Sequence, residues 1–317
     1  MQVLVLVLRM LVLYAGFSVN VKFVGSVCCL GVADQSTGPF HQYGDTYILA
    51  TYVKFLEQAG ARVVPVRVNQ PTEYYETLLS RINGVLFPGG GSNLTSSYLA
   101  TAARIIYDII VKANDAGDFF PLWGTCLGFE LLTNLTARHN LLEHTDAENI
   151  SMALDLKPAY KESRLLGNAS PSIINTLTKE KVTPNFHQYG LMEKTFSTTS
   201  SLSDFYRVLS TNKDRRGKVF VSTMEAFKYP FYATQWHPED INYGWNPNSD
   251  IDHTPEAILV TQYFANFFVN EARKSRHRFP DAASESAAVM ENYKPLFITD
   301  GSFIELYIFN FTQSPVY

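Results

Sequence analysis

Between Phe23 and Ala137 two hydrophobic periodicities alternate along the chain. Phe23 to Val32 is a mostly apolar run containing β-branched residues and predicts a first strand. Thr46 to Gly60 places apolar residues near i, i+3, i+4 and i+7 and stops at a glycine, the pattern of an amphipathic helix. Ala61 to Val68 reads as a strand, Glu73 to Ile82 as a helix, and Gly84 to Pro88 as a buried strand running into Gly89-Gly90-Gly91. Tyr98 to Ala113 predicts a long amphipathic helix and Phe119 to Trp123 another strand, and Cys126 opens the next helix. Strands alternating with helices predict an α/β fold of three layers, α/β/α, around a mostly parallel sheet. Chemistry in such sheets gathers at the carboxyl ends of the strands, where both Gly89-Gly90-Gly91 and Gly124-Thr125-Cys126 fall.

From Glu143 to Phe186 the pattern loosens into short runs. Gly217 to Trp236 then predicts two strands around a turn near Lys228-Tyr229-Pro230. Pro255 to Ala272 predicts an amphipathic helix, and Asp281 to Met290 a linker or helix. Pro295 to Phe309 alternates into a closing hairpin around Asp300-Gly301.

The N-terminus changes the picture of compartment. Met1 to Phe17 is an apolar run interrupted by Arg9, too short for a comfortable membrane span. It reads as a secretory leader over residues 1–19, with Gly16 and Ser18 offering a cleavage point; a buried first strand is the other reading. Sequons at Asn93, Asn149, Asn168 and Asn310 fit a secreted chain. A further one, Asn134, falls in a predicted helix. Residues 20–317 are expected to form a single domain, and no stable membrane insertion is expected. Net charge is −4 with no basic block, which argues against a nucleic-acid partner. Three cysteines, Cys28, Cys29 and Cys126, make no disulfide framework.

Cys126 stands in Gly124-Thr125-Cys126-Leu127-Gly128, between an apolar strand and an apolar-periodic helix. This is the thiol version of a nucleophile elbow. With 18 Gly and 3 Cys in 317 residues, such a pattern is expected by chance about 0.01 times, so a buried structural cysteine explains it poorly. The turn puts the sulfur at a helix N-terminus, which favours thiolate, and aims the Leu127 N–H where an oxyanion would form. Among the seven histidines, His237 follows an apolar strand and precedes Pro238-Glu239. It is placed to serve as general base and acid, with Glu239 orienting the ring. Gly89, Gly90 and Gly91 offer N–H groups that could complete an oxyanion hole; a plain loop competes with that reading. His187, in Asn185-Phe186-His187-Gln188-Tyr189-Gly190, reads equally as a substrate contact or a hydrogen-bonded loop histidine. No His-Glu-x-x-His, Cys-x-x-Cys or clustered His-Asp pattern implies a metal, and no cofactor is expected.

Together PGGG, GTCLGFE, NFHQYG and QWHPE, in that order, resemble the gamma-glutamyl hydrolase family of the class I glutamine amidotransferase-like superfamily. The resemblance runs from about Gly38 to the C-terminus. It implies hydrolysis of γ-linked glutamates from folylpoly-γ-glutamates and antifolate analogues. It also implies a Cys126 nucleophile, a His237 proton donor, a supporting Glu239, a His187 near substrate, and a homodimer found in lysosomes and outside the cell. Val21 to Thr37 departs from the family's usual first strand. A poly-acidic substrate calls for cations, and Lys54, Arg62 and Arg67 are candidates. Two other classes stay open: a glutaminase-type amidotransferase subunit, which the leader and sequons oppose, and a binding protein on a decayed hydrolase scaffold.

Overall fold

A computed structural model describes residues 28–315; the leader expected at 1–19 lies outside the described residues. In chain order the strands are β1 (Cys28–Ala33), β2 (Gln35–Ser36), β3 (Thr46–Leu49), β4 (Ala61–Val66), β5 (Val85–Phe87), β6 (Leu122–Thr125), β7 (Glu143–Met152), β8 (Asp155–Leu156), β9 (Thr183–Gly190), β10 (Tyr206–Lys213), β11 (Val219–Ala226), β12 (Phe231–Thr234), β13 (Leu296–Ile298) and β14 (Ile304–Phe309). The main helices are α1 (Ala50–Glu57), α2 (Thr72–Leu79), α3 (Tyr98–Asp115), α4 (Leu127–Ala137), α5 (Pro171–Lys179) and α6 (Pro255–Ala272).

Eight strands form the central sheet in the order β4-β1-β5-β6-β12-β11-β10-β8. The run from β4 to β12 is parallel and the rest antiparallel. Strands buried on both faces divide their side chains between two cores. Cys29 and Ala33 of β1 pack with α2, α3 and α4. Cys28, Leu30 and Val32 pack on the other face with α1, α5 and α6. The expected three-layer α/β/α arrangement with a mostly parallel sheet is what forms.

Two smaller sheets flank this core. Strands β13-β14-β3-β2 make an antiparallel sheet, and β7 pairs with β9 as a two-stranded ribbon. Both correct the sequence expectations. Thr46 to Leu49 is a strand and not the start of a helix, because Thr46–Leu49 pairs with β14 and Tyr47 with Gln35; α1 begins only at Ala50. The loose region contains the ten-residue β7 and the helix α5. Much of β7 faces solvent on both sides, so its sequence shows no two-fold alternation. At Pro255–Ala272 and at the hairpin around Asp300-Gly301, pattern and structure coincide.

Candidate active site

Three adjacent strands of the parallel sheet, β5, β6 and β12, end side by side. Their exits carry Gly89, Cys126 and His237, which is why segments 37 and 111 residues distant from Cys126 in sequence meet in space. Cys126 bridges β6 and α4 with φ 50° and ψ −107°, a conformation strained for a residue bearing a Cβ. Its N–H donates to Thr234 O (2.8 Å), and its own carbonyl accepts from Glu130 N–H (3.0 Å). The turn closes so tightly that a Cβ at Gly128 would sit 2.0 Å from Phe87 O, and one at Gly124 2.5 Å from Gly128 O. Ten of the eleven residues of α4 are buried, so the helix cannot slide away to relieve the turn.

Gly89 lies between the reacting side chains. A Cβ there would come within 2.7 Å of His237 Cε1 and 3.1 Å of Cys126 Cβ. His237 Nδ1 donates to Glu239 Oε1 at 2.6 Å, and Asp240 Oδ2 lies 3.6 Å from the same nitrogen. His237 Nε2 is buried and has no nitrogen or oxygen hydrogen-bond partner among the described residues. Phe186 holds the ring edge-on at 5.5 Å. Burial works to keep His237 neutral, but Glu239 and the Cys126 sulfur hold its pKa well above the usual imidazole value. Burial pushes the Cys126 thiol up and His237 pulls it partly back. The helix N-terminus therefore does not by itself free the thiolate as the sequence suggested; the imidazolium beside it is the stabilising partner. Thiol, imidazole and carboxylate thus stand in the order that nucleophilic catalysis needs.

The structure brings Cys126, His237 and Glu239 together and sorts the other candidates. Gly89 N–H donates to Tyr52 Oη (2.7 Å), so it is not free for an oxyanion. Gly90 and Gly91 are both exposed, and open space lies where a Gly91 Cβ would be. Gly90, Gly91 and Leu127 all line the cavity that Cys126 opens into; Gly90 also lines a further cavity at Cys126, and Leu127, as the first residue of α4, has no intrahelical acceptor for its N–H. His187 is buried, its Nδ1 donating to Tyr189 O (2.7 Å). Burial lowers its pKa to about 4, so it is a neutral wall residue and not a charged contact. Asn134 is buried and its amide donates to Leu94 O (3.0 Å), which removes it as a glycosylation site. Asn93, Asn149 and Asn168 are exposed and Asn310 half-buried. Arg67 is sealed in an ion pair with Asp34 (2.8 Å), and Arg62 pairs with Glu285 and Glu291. Of the three candidate cations only Lys54 lines a cavity of the site, paired there with Glu305.

Two cavities meet at Cys126, Gly90 and Phe186. The first, about 340 Å³, contains His237, Asp240 and Lys54 under an aromatic wall that includes Trp245, Phe297 and Phe303. The second, about 530 Å³, is more polar and contains Leu127, Glu130 and His187. Burial raises the Glu130 carboxyl to about 7, and burial with Glu239 nearby does the same for Asp240. Sequence reasoning missed Gln35, Tyr52 and Asp240. Only Asp240 had a signal, directly following Glu239. The donor atoms of His237, Glu239 and Asp240 lie within 4.8 Å of one another, a His-carboxylate cluster that the sequence reading did not register. The hydrogen bond from Nδ1 to Glu239 assigns this cluster to orienting the imidazole.

Glu239→Gln removes the main charge that holds the His237 proton. His237 should then lose its proton at lower pH, and the alkaline limb of the kcat/KM profile should move down. An unmoved alkaline limb in a pH–rate series would contradict this role.

The chain is similar to known proteins along most of its length. The peptidase C26 family matches residues 24–239. Human gamma-glutamyl hydrolase is 44% identical over 270 residues, 84% of each chain. Gamma-glutamyl hydrolase B of Dictyostelium discoideum is 40% identical over 299 residues, covering 92% of this chain and 86% of its own. Gamma-glutamyl hydrolase 1 of Arabidopsis thaliana is 36% identical, covering 85% and 77%. In fold, the glutaminase domain of Trypanosoma brucei CTPS, solved with bound acivicin, superposes with a TM-score of 0.51 at 14% identity, over 80% of this chain and 97% of that one. The chain has a class I glutamine amidotransferase-like fold and belongs to the peptidase C26 family, together with these gamma-glutamyl hydrolases.

Proposed function

We propose that the protein hydrolyses γ-glutamyl bonds in folylpoly-γ-glutamates and their antifolate analogues through a Cys126 thioester. The observation that carries this reading is the strained Cys126 elbow at the junction of two cavities, backed by His237 and Glu239. Cys126 thiolate attacks the γ-carbonyl, and the tetrahedral oxyanion accepts from the N–H groups of Leu127 and Gly90. His237 imidazolium gives its proton to the departing α-nitrogen, leaving the γ-acyl group on sulfur. Neutral His237 then takes a proton from water, hydroxide adds to the thioester, and collapse returns the thiolate.

Because His237 lines the first cavity, the leaving amine departs on that side, toward Lys54. Lys54 then receives a carboxylate of the leaving glutamate. Lys54→Met should raise KM for a pteroylpolyglutamate about 10-fold with a smaller change in kcat, roughly the worth of one charge-assisted contact. Steady-state kinetics reads this, and an unchanged KM would remove Lys54 from the subsite.

Mass spectrometry of a pteroylpolyglutamate digest tests the function itself. Products shortened by whole glutamates are expected. Ammonia release from free glutamine with an intact pteroylpolyglutamate would overturn the proposal in favour of a glutaminase.

Secretion and lysosomal residence are supported by the leader at 1–19 and by sequons at Asn93, Asn149, Asn168 and Asn310. Among the described residues no helix is long and apolar enough to cross a membrane. The homodimer is carried over from the family resemblance, and sedimentation of the purified protein reads it.

A further inference from the structure

The short segment after β1 delivers a side chain to the site. Gln35 is 1% exposed. Its Nε2 donates to Gly89 O at 2.5 Å. The same residue's N–H is held from the other side by Tyr52 Oη. Gly90 has φ +155°, and a Cβ there would lie 1.8 Å from Gln35 Oε1, so the Gln35 amide packs directly against the bare face of Gly90.

A trans peptide is planar, with its C=O and N–H pointing in opposite directions. A hydrogen bond that draws Gly89 O toward Gln35 therefore turns the Gly90 N–H away from Gln35. Gly90 lines both cavities together with Cys126. A peptide flanked by two glycines has little intrinsic preference between its two faces, so something outside it must choose. Gln35 is itself well anchored. It pairs with Tyr47 across β2 and β3, and its neighbour Asp34 accepts from Thr46 Oγ1 (2.6 Å), Val68 N–H (2.6 Å) and Arg67 Nε (2.8 Å).

We propose that Gln35 is a positioning residue that fixes the Gly89–Gly90 peptide so that Gly90 N–H faces the oxyanion above Cys126. The inference rests on the proposed Cys126 mechanism. It also explains the residue type. Asparagine is one methylene short, and an ionised glutamate would set an acceptor against the Gly89 carbonyl.

The test separates oxyanion formation from thiol reactivity. Gln35→Met should lower kcat about 10- to 100-fold, up to the loss of one oxyanion donor, with KM changed less than about threefold. Alkylation of Cys126 by iodoacetamide builds no oxyanion and should keep its rate within about twofold of wild type. Gln35→Glu should be similarly impaired at neutral pH. Its kcat relative to wild type should recover as pH falls, because a protonated carboxyl can donate to Gly89 O. A folded Gln35→Met protein with wild-type kcat, or alkylation falling in step with kcat, would overturn the proposal. Should Gln35→Met fail to fold, the pH ratio of Gln35→Glu decides, and a flat ratio overturns it. Failure of the underlying mechanism looks different: turnover surviving in Cys126→Ala, whatever the Gln35 variants do.

Discussion

Replacing Cys126 by alanine is expected to lower kcat on pteroylpolyglutamates by about 10⁴-fold or more, the scale seen when a covalent nucleophile is removed. The geometry gives no substitute. Cys28 and Cys29 are buried in β1, and burial raises both thiols to about 12. Without Sγ, His237 and the oxyanion donors can only assist direct attack by water. Single-turnover assays on the purified variant measure the loss, and turnover within about 10-fold of wild type would eliminate the thioester route. A companion variant reads the strain. At φ 50° and ψ −107°, Cys126→Ala keeps a Cβ in an unfavourable region, whereas Cys126→Gly removes it. The glycine variant should therefore be more stable than the alanine variant by about 1 kcal/mol, visible as a later unfolding midpoint.

Gly128→Ala should be nearly as damaging by a different route. The added methyl would meet the Phe87 carbonyl carbon at 2.7 Å and its oxygen at 2.0 Å, both of them backbone at the end of β5. No rotamer relieves a Cβ clash, so either α4 must lift from the sheet or β5 must shift. Both are enclosed in one apolar core, and overpacking of this kind costs about 1–3 kcal/mol or more. The shift also displaces Cys126 against Gly90 and His237, and a misplacement near 1 Å can cost about 100-fold in rate. We expect both a lowered thermal midpoint and a kcat reduced by about 100-fold. A variant with wild-type kcat and wild-type midpoint would show that the elbow tolerates bulk which the contact distances forbid.

Local pattern was enough wherever local pattern sets the structure. The helix Pro255–Ala272 carries its own N-cap, Thr254, and its proline at N1, and its boundaries coincide with the expectation. The elbow was legible because Gly-x-Cys-x-Gly is a steric requirement written in neighbouring residues. Thr46 to Leu49 was misread because an apolar run flowing into a helix keeps helical spacing, and its strand partners, β2 before it and β14 more than 250 residues later, leave no mark on that spacing. Gln35 and Tyr52 reach Gly89 from β2 and α1, and no spacing along the chain encodes that. His187 read equally as a substrate contact or a hydrogen-bonded loop histidine; its burial and its neutral state come from the packing of the β7–β9 ribbon, which its own hexapeptide does not specify.

The hairpin of β13 and β14 bears on how the protein is made. Cys126, His237 and Glu239 are all synthesised before residue 296, yet Phe297, Phe303 and Glu305 wall the first cavity, and β14 pairs with β3. During translation the core sheet and its catalytic groups can assemble while β3 still presents an unpaired edge and the cavity stands open. Such an edge invites pairing with another nascent chain. Docking of the β13–β14 hairpin thus closes the substrate cavity and covers the open edge of β3 in one event. Closure of the substrate cavity is in that sense timed by the β13–β14 hairpin.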